Sequence, residues 1–477
     1  MNVNIKRFKR LLLLLMLGVF IYTIFLSNKL FSQSRAFIKD TPIIDTEILN
    51  FLDELLSLIT DREDMHLYVI SNNNFNAMAT SKNTISIYSG VFERINDVEV
   101  LLAIIAHELG HVSQNHLIRL QKKLDGIKLQ NVISGLISVA AVIAMAAGSA
   151  SSNYTVVPTL APYLITDVST KDILAYTRSE ESLADQFMLT TFLNKKISLN
   201  EYINFVSNLA KEDDAIYSVA SGYLSDHPRT SDRLFDIKQR LSDSKIKLSE
   251  LKRLPYELSV KYKMVQAKIY GLMNTSESII AKYSEQKELD TPYYFYALAV
   301  SNWFNRNYKE ALNNFNIILN QYLNRKEYQQ IINSGYIFEG LAETYFLSGN
   351  MIAAIKNYEY ALKKLTTLPR KNEKNLQLVK QSFANVLISS DDDNNINRGI
   401  EILRQILLKE KRTSAYYYLS IAYGKIKDTG RAHYYLAKYF EAVGDLRKMK
   451  IHIEKSENDL SKSSIEYQDL MLLKNDN

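Results

Sequence analysis

The stretch AIIAHELGHVSQNH, Ala103 to His116, places two histidines and a glutamate inside an apolar run, in a chain with only seven histidines among 477 residues. The pattern favours a helix. Residues four apart on an α-helix lie about 40° from each other around its axis, so the imidazoles of His107 and His111 can reach one metal ion. Glu108 lies beside them and can point at a water on that ion. The alternative is a helix with an ordinary polar face, and only a second part of the site can decide between the two.

A second acidic motif supplies what such a metal site lacks. A catalytic zinc ion takes three protein ligands and keeps one position open for water or substrate. The segment RSEESLADQF contains Glu181 with Asp185 four residues later. On a helix both face the same way, so Glu181 can complete the ligand set while Asp185 holds a ligand imidazole, that of His107. An acidic pair alone is typical of solvated surface, but beside the first motif it predicts a zinc site, with Glu108 as the general base.

Composition limits the chemistry of this site and the choice of partners. The chain has no cysteine, so a metal site must use histidine and carboxylate side chains. The formal charge of +6 is small for this length and is not gathered into one tract, so nothing favours nucleic-acid binding. Glycine (15) and proline (7) are scarce, which favours helices over tight turns.

Two apolar runs bear on localisation. The first, Leu11–Leu26, follows a basic NIKRFKR segment and is typical of an export signal. Residues 1–34 are therefore predicted to be a signal peptide or an uncleaved N-terminal membrane anchor. The second run, Val132–Ala150, is long enough for a marginal membrane span, but its small side chains favour a helix packed in protein or on a membrane surface.

Periodicity predicts an α+β protein that is mostly α-helical. The pieces LYVI, NAMAT and TISIYSG alternate apolar and polar residues and predict short strands. Asn96 and Glu99 have the spacing of a capping box, which predicts a long helix from about Asp97 to Lys123. A further helix is predicted near residues 179–193.

The second half of the chain contains recurring amphipathic helices rich in tyrosine. Aligning four small residues gives separations of 43, 45 and 33 residues; they are Ala311, Ala354, Gly399 and Ala432. These spacings fit a helix-turn-helix unit of about 34 residues with insertions, and so predict a tetratricopeptide-type α-solenoid. The alternative is an ordinary helical domain in which small residues recur by chance.

HELGH, followed downstream by ESLAD and preceded by NAMAT and TISIYSGVF, resembles the gluzincin metallopeptidases that include the CAAX prenyl and heat-shock membrane proteases. The peptidase resemblance covers about residues 40–245. The layout is similar to exported members that join such a domain to tetratricopeptide repeats. It implies a signal or anchor at 1–34, an active-site helix and small β-sheet in a zinc metallopeptidase domain at 35–245, and a repeat domain at 246–477.

Carried over residue by residue, the resemblance implies that one Zn²⁺ is bound by His107, His111 and Glu181. It makes Glu108 the catalytic carboxylate and Asp185 the partner of a ligand.

The same resemblance draws attention to the segment DHPRTSDR. It implies that His227 lies beside the metal, either closing the fourth coordination position or stabilising the oxyanion. Arg233 would anchor that segment or bind the transition-state charge. The ordinary alternatives are a loop histidine and a surface ion pair. His116 lies about 140° round the helix from His111 and is predicted to face away from the metal.

These observations predict an exported, periplasmic zinc endopeptidase. The resemblance implies unfolded or stalled outer-membrane β-barrel proteins as substrates, with the repeats docking an assembly machinery or a substrate. An antiparallel edge strand near TISIYSG would pair with extended substrate. One alternative is a chaperone or adaptor whose metal site is latent or structural. Another is a general membrane-protein quality-control protease, if Val132–Ala150 inserts in lipid.

Overall fold

The computed structural model describes five segments of the chain: residues 39–114, 170–215, 230–244, 248–367 and 373–475. Some predictions lie outside them, namely those for residues 1–34, Val132–Ala150, His116 and His227. In the described segments no helix is both long enough and apolar enough to cross a membrane. These segments are mostly helical, with one small mixed sheet.

Among the described residues the sheet has four strands, which are β1 (Pro42–Ile43), β2 (His66–Ile70), β3 (Ala77–Ser81) and β4 (Thr84–Tyr88). The three predicted strand segments are thereby confirmed. The strands lie in the order β1-β2-β4-β3, with β2 parallel to β4 and the other pairs antiparallel. The TISIYSG strand β4 is therefore interior, and the antiparallel edge strand predicted near it is β3. β4 pairs with β3 through a short hairpin on one side and with β2 on the other, and its Ile85 and Ile87 side chains are buried on a face of the sheet.

In the part of the chain that the structure describes before residue 245, six α-helices surround or follow this sheet. They are α1 (Thr46–Ile59), α2 (Ser89–Arg94), α3 (Val98–Ser113), α4 (Thr170–Lys195), α5 (Asn200–Ala215) and α6 (Thr230–Asp243). The predicted active-site helix is α3, which is buried along almost its whole length. The helix predicted near 179–193 is α4, and it begins earlier than predicted.

The N-terminus of α3 differs from the predicted capping box. Asp97, rather than Asn96, is the N-cap, and its side chain accepts a hydrogen bond from the backbone N–H of Glu99. The Glu99 carboxylate accepts hydrogen bonds from the Arg253 guanidinium and from the Leu254 backbone N–H. Arg253 and Leu254, which are far away in sequence, therefore bind the carboxylate that the capping box assigned to the start of the helix. The helix ends at Ser113, where Gln114 departs from helical geometry with ψ near 1°, and the part of the prediction from residue 115 to Lys123 lies outside the described residues.

Helices α3 and α4 approach each other closely where both carry small residues. A Cβ placed on Gly110 of α3 would lie 2.9 Å from the Ala184 Cα and 3.1 Å from the Ala184 carbonyl oxygen of α4. Gly110 therefore permits a backbone contact that any larger residue would disrupt. This contact brings the HELGH and ESLAD motifs together.

The second half of the chain is a series of helices joined by short turns. They are α7 (Tyr256–Met273), α8 (Ser276–Glu285), α9 (Pro292–Phe304), α10 (Tyr308–Gln321), α11 (Lys326–Ile332), α12 (Tyr336–Leu347), α13 (Met351–Leu365), α14 (Glu373–Ser389), α15 (Asp393–Lys409), α16 (Thr413–Lys425), α17 (Thr429–Ala442), α18 (Leu446–Asp459) and α19 (Ile465–Asn475). Consecutive helices pack on each other, as α12 does on α13 and α16 on α17.

One turn conformation recurs in this region. The central residue has positive φ and the next residue is Asn or Asp in the turns 305–307, 348–350, 426–428 and 443–445. The fourth position of the helix after such a turn is occupied by an alanine in three cases, which are Ala311, Ala354 and Ala432. Gly399 occupies the seventh position of α15, so the predicted register is displaced by three residues there. A Cβ placed on Gly399 would lie 2.7 Å from Ile388 Cγ1 and 3.0 Å from the Ala384 carbonyl oxygen. Close packing against α14, and not the repeat pattern, therefore accounts for glycine at this position.

The packing of α1 links the two halves of the chain. Its apolar face belongs to a core cluster that extends from Ile43 to Leu341, while a separate cluster runs from Ala384 to Leu473. Its polar face contacts later helices: the Asn50 amide donates to the Tyr336 hydroxyl over 2.8 Å. The domain boundary predicted at residue 245 stays a prediction, and the core is continuous across it.

Candidate metal centre and active site

Helix α3 presents the two histidines of the first motif on one side. The Nε2 atoms of His107 and His111 are 3.1 Å apart. His107 is fully buried and the side chain of His111 is 12% exposed. The four-residue spacing therefore brings both ring nitrogens to one point, which remains reachable from the His111 side.

Helix α4 brings Glu181 to the same point. Its Oε2 lies 3.2 Å from His107 Nε2, and its Oε1 lies 3.3 Å from His111 Nε2. The three side chains offer one ligand atom each within 4.8 Å of one another, and they form the one such group found among the described residues. Two imidazole nitrogens and one carboxylate oxygen are a ligand set that zinc takes in catalytic sites, so these residues fit the ion.

A charged pair behind the ligands fixes the orientation of His107. The Asp185 Oδ1 lies 2.9 Å from His107 Nδ1, on the side of the ring away from Glu181. Arg233 of α6 binds both oxygens of Asp185, with Nε 2.9 Å from Oδ2 and Nη2 2.8 Å from Oδ1. All three side chains are buried. Such a partner on the outer nitrogen sets the tautomer that leaves Nε2 available to a metal.

This arrangement shifts two pKa values in opposite directions. Burial and the Arg233 charge lower the pKa of His107, but the Asp185 and Glu181 carboxylates outweigh them and raise it to about 9. Burial raises the pKa of Asp185, but the Arg233 and His107 charges outweigh it and hold that pKa well below its usual range. In the metal-free protein His107 therefore carries a proton that a metal ion must displace.

Glu108 is buried beside the ligands and is held by the sheet. The backbone N–H of Ala79, in the edge strand β3, donates to Glu108 Oε2 over 3.0 Å. Glu108 is thus fixed between the metal group and the edge of the sheet. This contact places the candidate general base next to a strand that an extended chain could join.

Six of the predicted site residues lie together in this cluster: His107, Glu108, His111, Glu181, Asp185 and Arg233. The seventh, His227, lies outside the described residues. Sequence reasoning missed three participants. Ala79 contributes only its backbone, and the buried Tyr202 hydroxyl lies 3.4 Å from Arg233 Nη2. Arg240, which lies seven residues after Arg233 in α6, donates to the Ser182 hydroxyl of α4 over 2.9 Å. The seven-residue spacing of Arg233 and Arg240 on one helix face was the available signal.

A buried His-Glu-His metal group with an adjacent carboxylate, on a helix packed against a small sheet, defines a zinc metallopeptidase. The comparisons agree: residues 45–241 match the family model of peptidase family M48. The chain is 28% identical over 210 residues to a Vibrio cholerae protein provisionally named a beta-barrel assembly-enhancing protease, covering 42% of this chain and 40% of the relative. It is 23% identical over 220 residues to the beta-barrel assembly-enhancing protease of Yersinia pestis, covering 46% and 41%.

A third relative is the metalloprotease YcaL of Escherichia coli, 28% identical over 178 residues that cover 37% of this chain and 62% of that protein. The aligned regions thus span about two fifths of the two assembly-enhancing relatives. These similarities support the peptidase assignment for the first half of the chain.

Proposed function

We propose that the protein is an exported zinc endopeptidase that cleaves misfolded or stalled outer-membrane proteins. The observation that carries the peptidase part is the convergence of His107, His111 and Glu181 beside Glu108. The substrate class is supported by the names of the Vibrio and Yersinia relatives. The N-terminal apolar run supports export to the periplasm, with or without a retained membrane anchor.

In this proposal His107, His111 and Glu181 hold the zinc ion. When bound, zinc supplies a Lewis acid that polarises the substrate carbonyl and makes water acidic enough to lose a proton near neutral pH. Glu108 accepts that proton and later delivers it to the leaving amine. The Ala79 N–H keeps one oxygen of Glu108 fixed, so the carboxylate does not have to be ordered during each turnover.

Arg233 acts as a positioning residue for the ligands. Its guanidinium is committed to Asp185 through two hydrogen bonds, and its Nη1 lies 4.0 Å from Glu181 Oε2. These contacts favour anchoring over direct binding of transition-state charge. The oxyanion role, or closure of the fourth coordination position, is proposed for His227 on the resemblance alone.

The edge strand β3 is the proposed docking site for substrate backbone. It lies at the end of the sheet, and the Ala79 N–H that holds Glu108 belongs to it. An extended segment that pairs with a sheet edge is held by main-chain hydrogen bonds and so needs little sequence specificity. This mode suits unfolded substrates. The helices from α9 onward, with their recurring turns, are proposed to be tetratricopeptide-type repeats that dock partners or substrate.

The test is degradation of an unfolded outer-membrane β-barrel protein by the purified full chain, compared with Glu108→Gln at confirmed equal zinc content. We expect cleavage by the parent and its loss in the variant, since glutamine cannot accept the proton. Glu63→Gln, an exposed change outside the site, is the matched control and should cleave like the parent. Equal cleavage by parent and Glu108→Gln would overturn the mechanism. Absence of cleavage by both, together with protection of the substrate from aggregation, would favour the chaperone or adaptor.

A further inference from the structure

A second pair of histidines faces each other far from the peptidase site. His433 of α17 and His452 of α18 are 19 residues apart in sequence, yet their Nδ1 atoms lie 3.0 Å apart. This separation is close to the 3.1 Å between the ring nitrogens of His107 and His111. Both rings of the second pair are partly exposed, so an ion can reach them from solvent.

We propose that His433 and His452 form a transition-metal site that links α17 to α18. With metal–nitrogen bonds of about 2.0–2.1 Å, two nitrogens at the observed separation subtend an angle of roughly 95° at a shared ion. Adjacent positions of a square-planar or octahedral ion require about this angle, so the pair suits Ni²⁺ or Cu²⁺. Water would complete the coordination.

The surroundings favour rings that are ready to bind. Burial, with help from the Lys455 charge, lowers the pKa of both His433 and His452, so both rings are neutral at neutral pH. One Nδ1 donates its proton to the other in the metal-free pair. Binding needs only the transfer of that proton to Nε2 of the same ring, with no net release. The Phe440 ring stacks on His452 with 5.4 Å between centroids and fixes its plane.

One neighbouring charge opposes the ion and another favours it. Lys455, exposed on α18, is close enough for its charge to act on both rings. The Asp459 carboxylate acts on His433 in the opposite sense while accepting a hydrogen bond from the Thr429 hydroxyl. Removal of the Lys455 charge should therefore strengthen metal binding, which a simple hydrogen-bonded pair would not predict.

The experiment is a Ni²⁺ titration of the zinc-loaded full chain, with nickel and zinc content measured after gel filtration. We expect one Ni²⁺ beyond the active-site zinc, and binding at least about tenfold weaker in His433→Gln and in His452→Gln, since each removes a ligand. His66→Gln, a histidine outside both clusters, should bind Ni²⁺ like the parent. Lys455→Gln should bind it more tightly.

A spectroscopic measurement keeps the proposal testable if a variant is poorly folded. Cu²⁺ bound to the parent should show electron paramagnetic resonance couplings from two nitrogens, reduced to one in either single variant. Nickel binding that is unchanged in both glutamine variants, or a parent chain that binds no ion beyond zinc, would overturn the proposal. Neither readout depends on proteolysis, so failure here leaves the proposed function unaffected.

Discussion

Replacing Asp185 with asparagine is expected to weaken zinc binding and to destabilise the metal-free protein. The asparagine side chain keeps the shape of the buried carboxylate, but an NH2 group replaces one of the two acceptor oxygens. That NH2 group faces the Arg233 Nε–H or, if the amide is turned over, the N–H donors of His107 and Arg233 Nη2. Loss of the partner behind a metal ligand typically costs 10–100-fold in metal affinity, which is about 1.4–2.7 kcal/mol. The variant also removes the carboxylate charge that binds the buried Arg233 guanidinium through two hydrogen bonds, and breaking such a pair costs about 3–5 kcal/mol of stability.

Zinc affinity can be measured by competition with a chromophoric chelator, and stability by thermal unfolding of the metal-free chain. Asp236→Asn, an exposed change on the same helix as Arg233, is the control and should alter neither. The double variant Asp185→Asn/Arg233→Met should recover part of the stability, because the unpaired Arg233 charge is also removed. It should not recover zinc affinity, because His107 still lacks its carboxylate. A folded Asp185→Asn chain that binds zinc within about twofold of the parent would refute this reasoning.

Three further results are expected. Gly110→Ala should weaken zinc binding, because its Cβ would lie 2.9 Å from the Ala184 Cα and push α3 and α4 apart. The control Gly424→Ala, whose Cβ meets no atom within 4 Å, should leave zinc affinity in chelator competition unchanged. Zinc affinity should rise by about tenfold per pH unit from neutral pH and level off near pH 9, since below the raised pKa of His107 one proton competes with zinc for this ring. A zinc affinity that does not change with pH would exclude this competition. Asn375→Ala should lower the unfolding free energy by about 1–2 kcal/mol, because the Asn375 amide donates to both Asn50 and Asp53 of α1 over 3.0 and 2.9 Å. An unchanged denaturation midpoint would show that this contact does not stabilise the packing of α14 on α1.

The parts of the site that follow helical spacing were predictable from the sequence. His107 with His111, and Glu181 with Asp185, are each four apart, and the angular position of a residue on a helix depends only on its neighbours. The three strand segments could be predicted for the same reason, since alternation is local. Sheet order could not, because the parallel pairing of β2 with β4 depends on contacts across the whole domain.

The remaining site contacts were hidden because they carry no residue-type signal or join distant segments. Ala79 holds Glu108 through its backbone N–H, which every residue except proline possesses. The first turn of α3 also contacts Arg253, whose guanidinium donates hydrogen bonds to Asp97 and Glu99, more than 150 residues earlier in the chain. Capping rules consider neighbours only and so selected Asn96. Contacts of this kind require the fold to be known first.

Charge balance explains why the metal group and the fold depend on each other. Glu108, Glu181, Asp185 and Arg233 are all buried at one place and together carry a net charge of −2 when ionised. An uncompensated buried charge is costly, so either protons or a cation must offset it. In the metal-free protein the proton on His107 offsets one unit, which is the physical meaning of its raised pKa. A divalent ion offsets both units and displaces that proton. Metal binding, proton release and stability are therefore coupled through the same four side chains and His107, and Arg233 contributes by reducing the charge that the ion must neutralise.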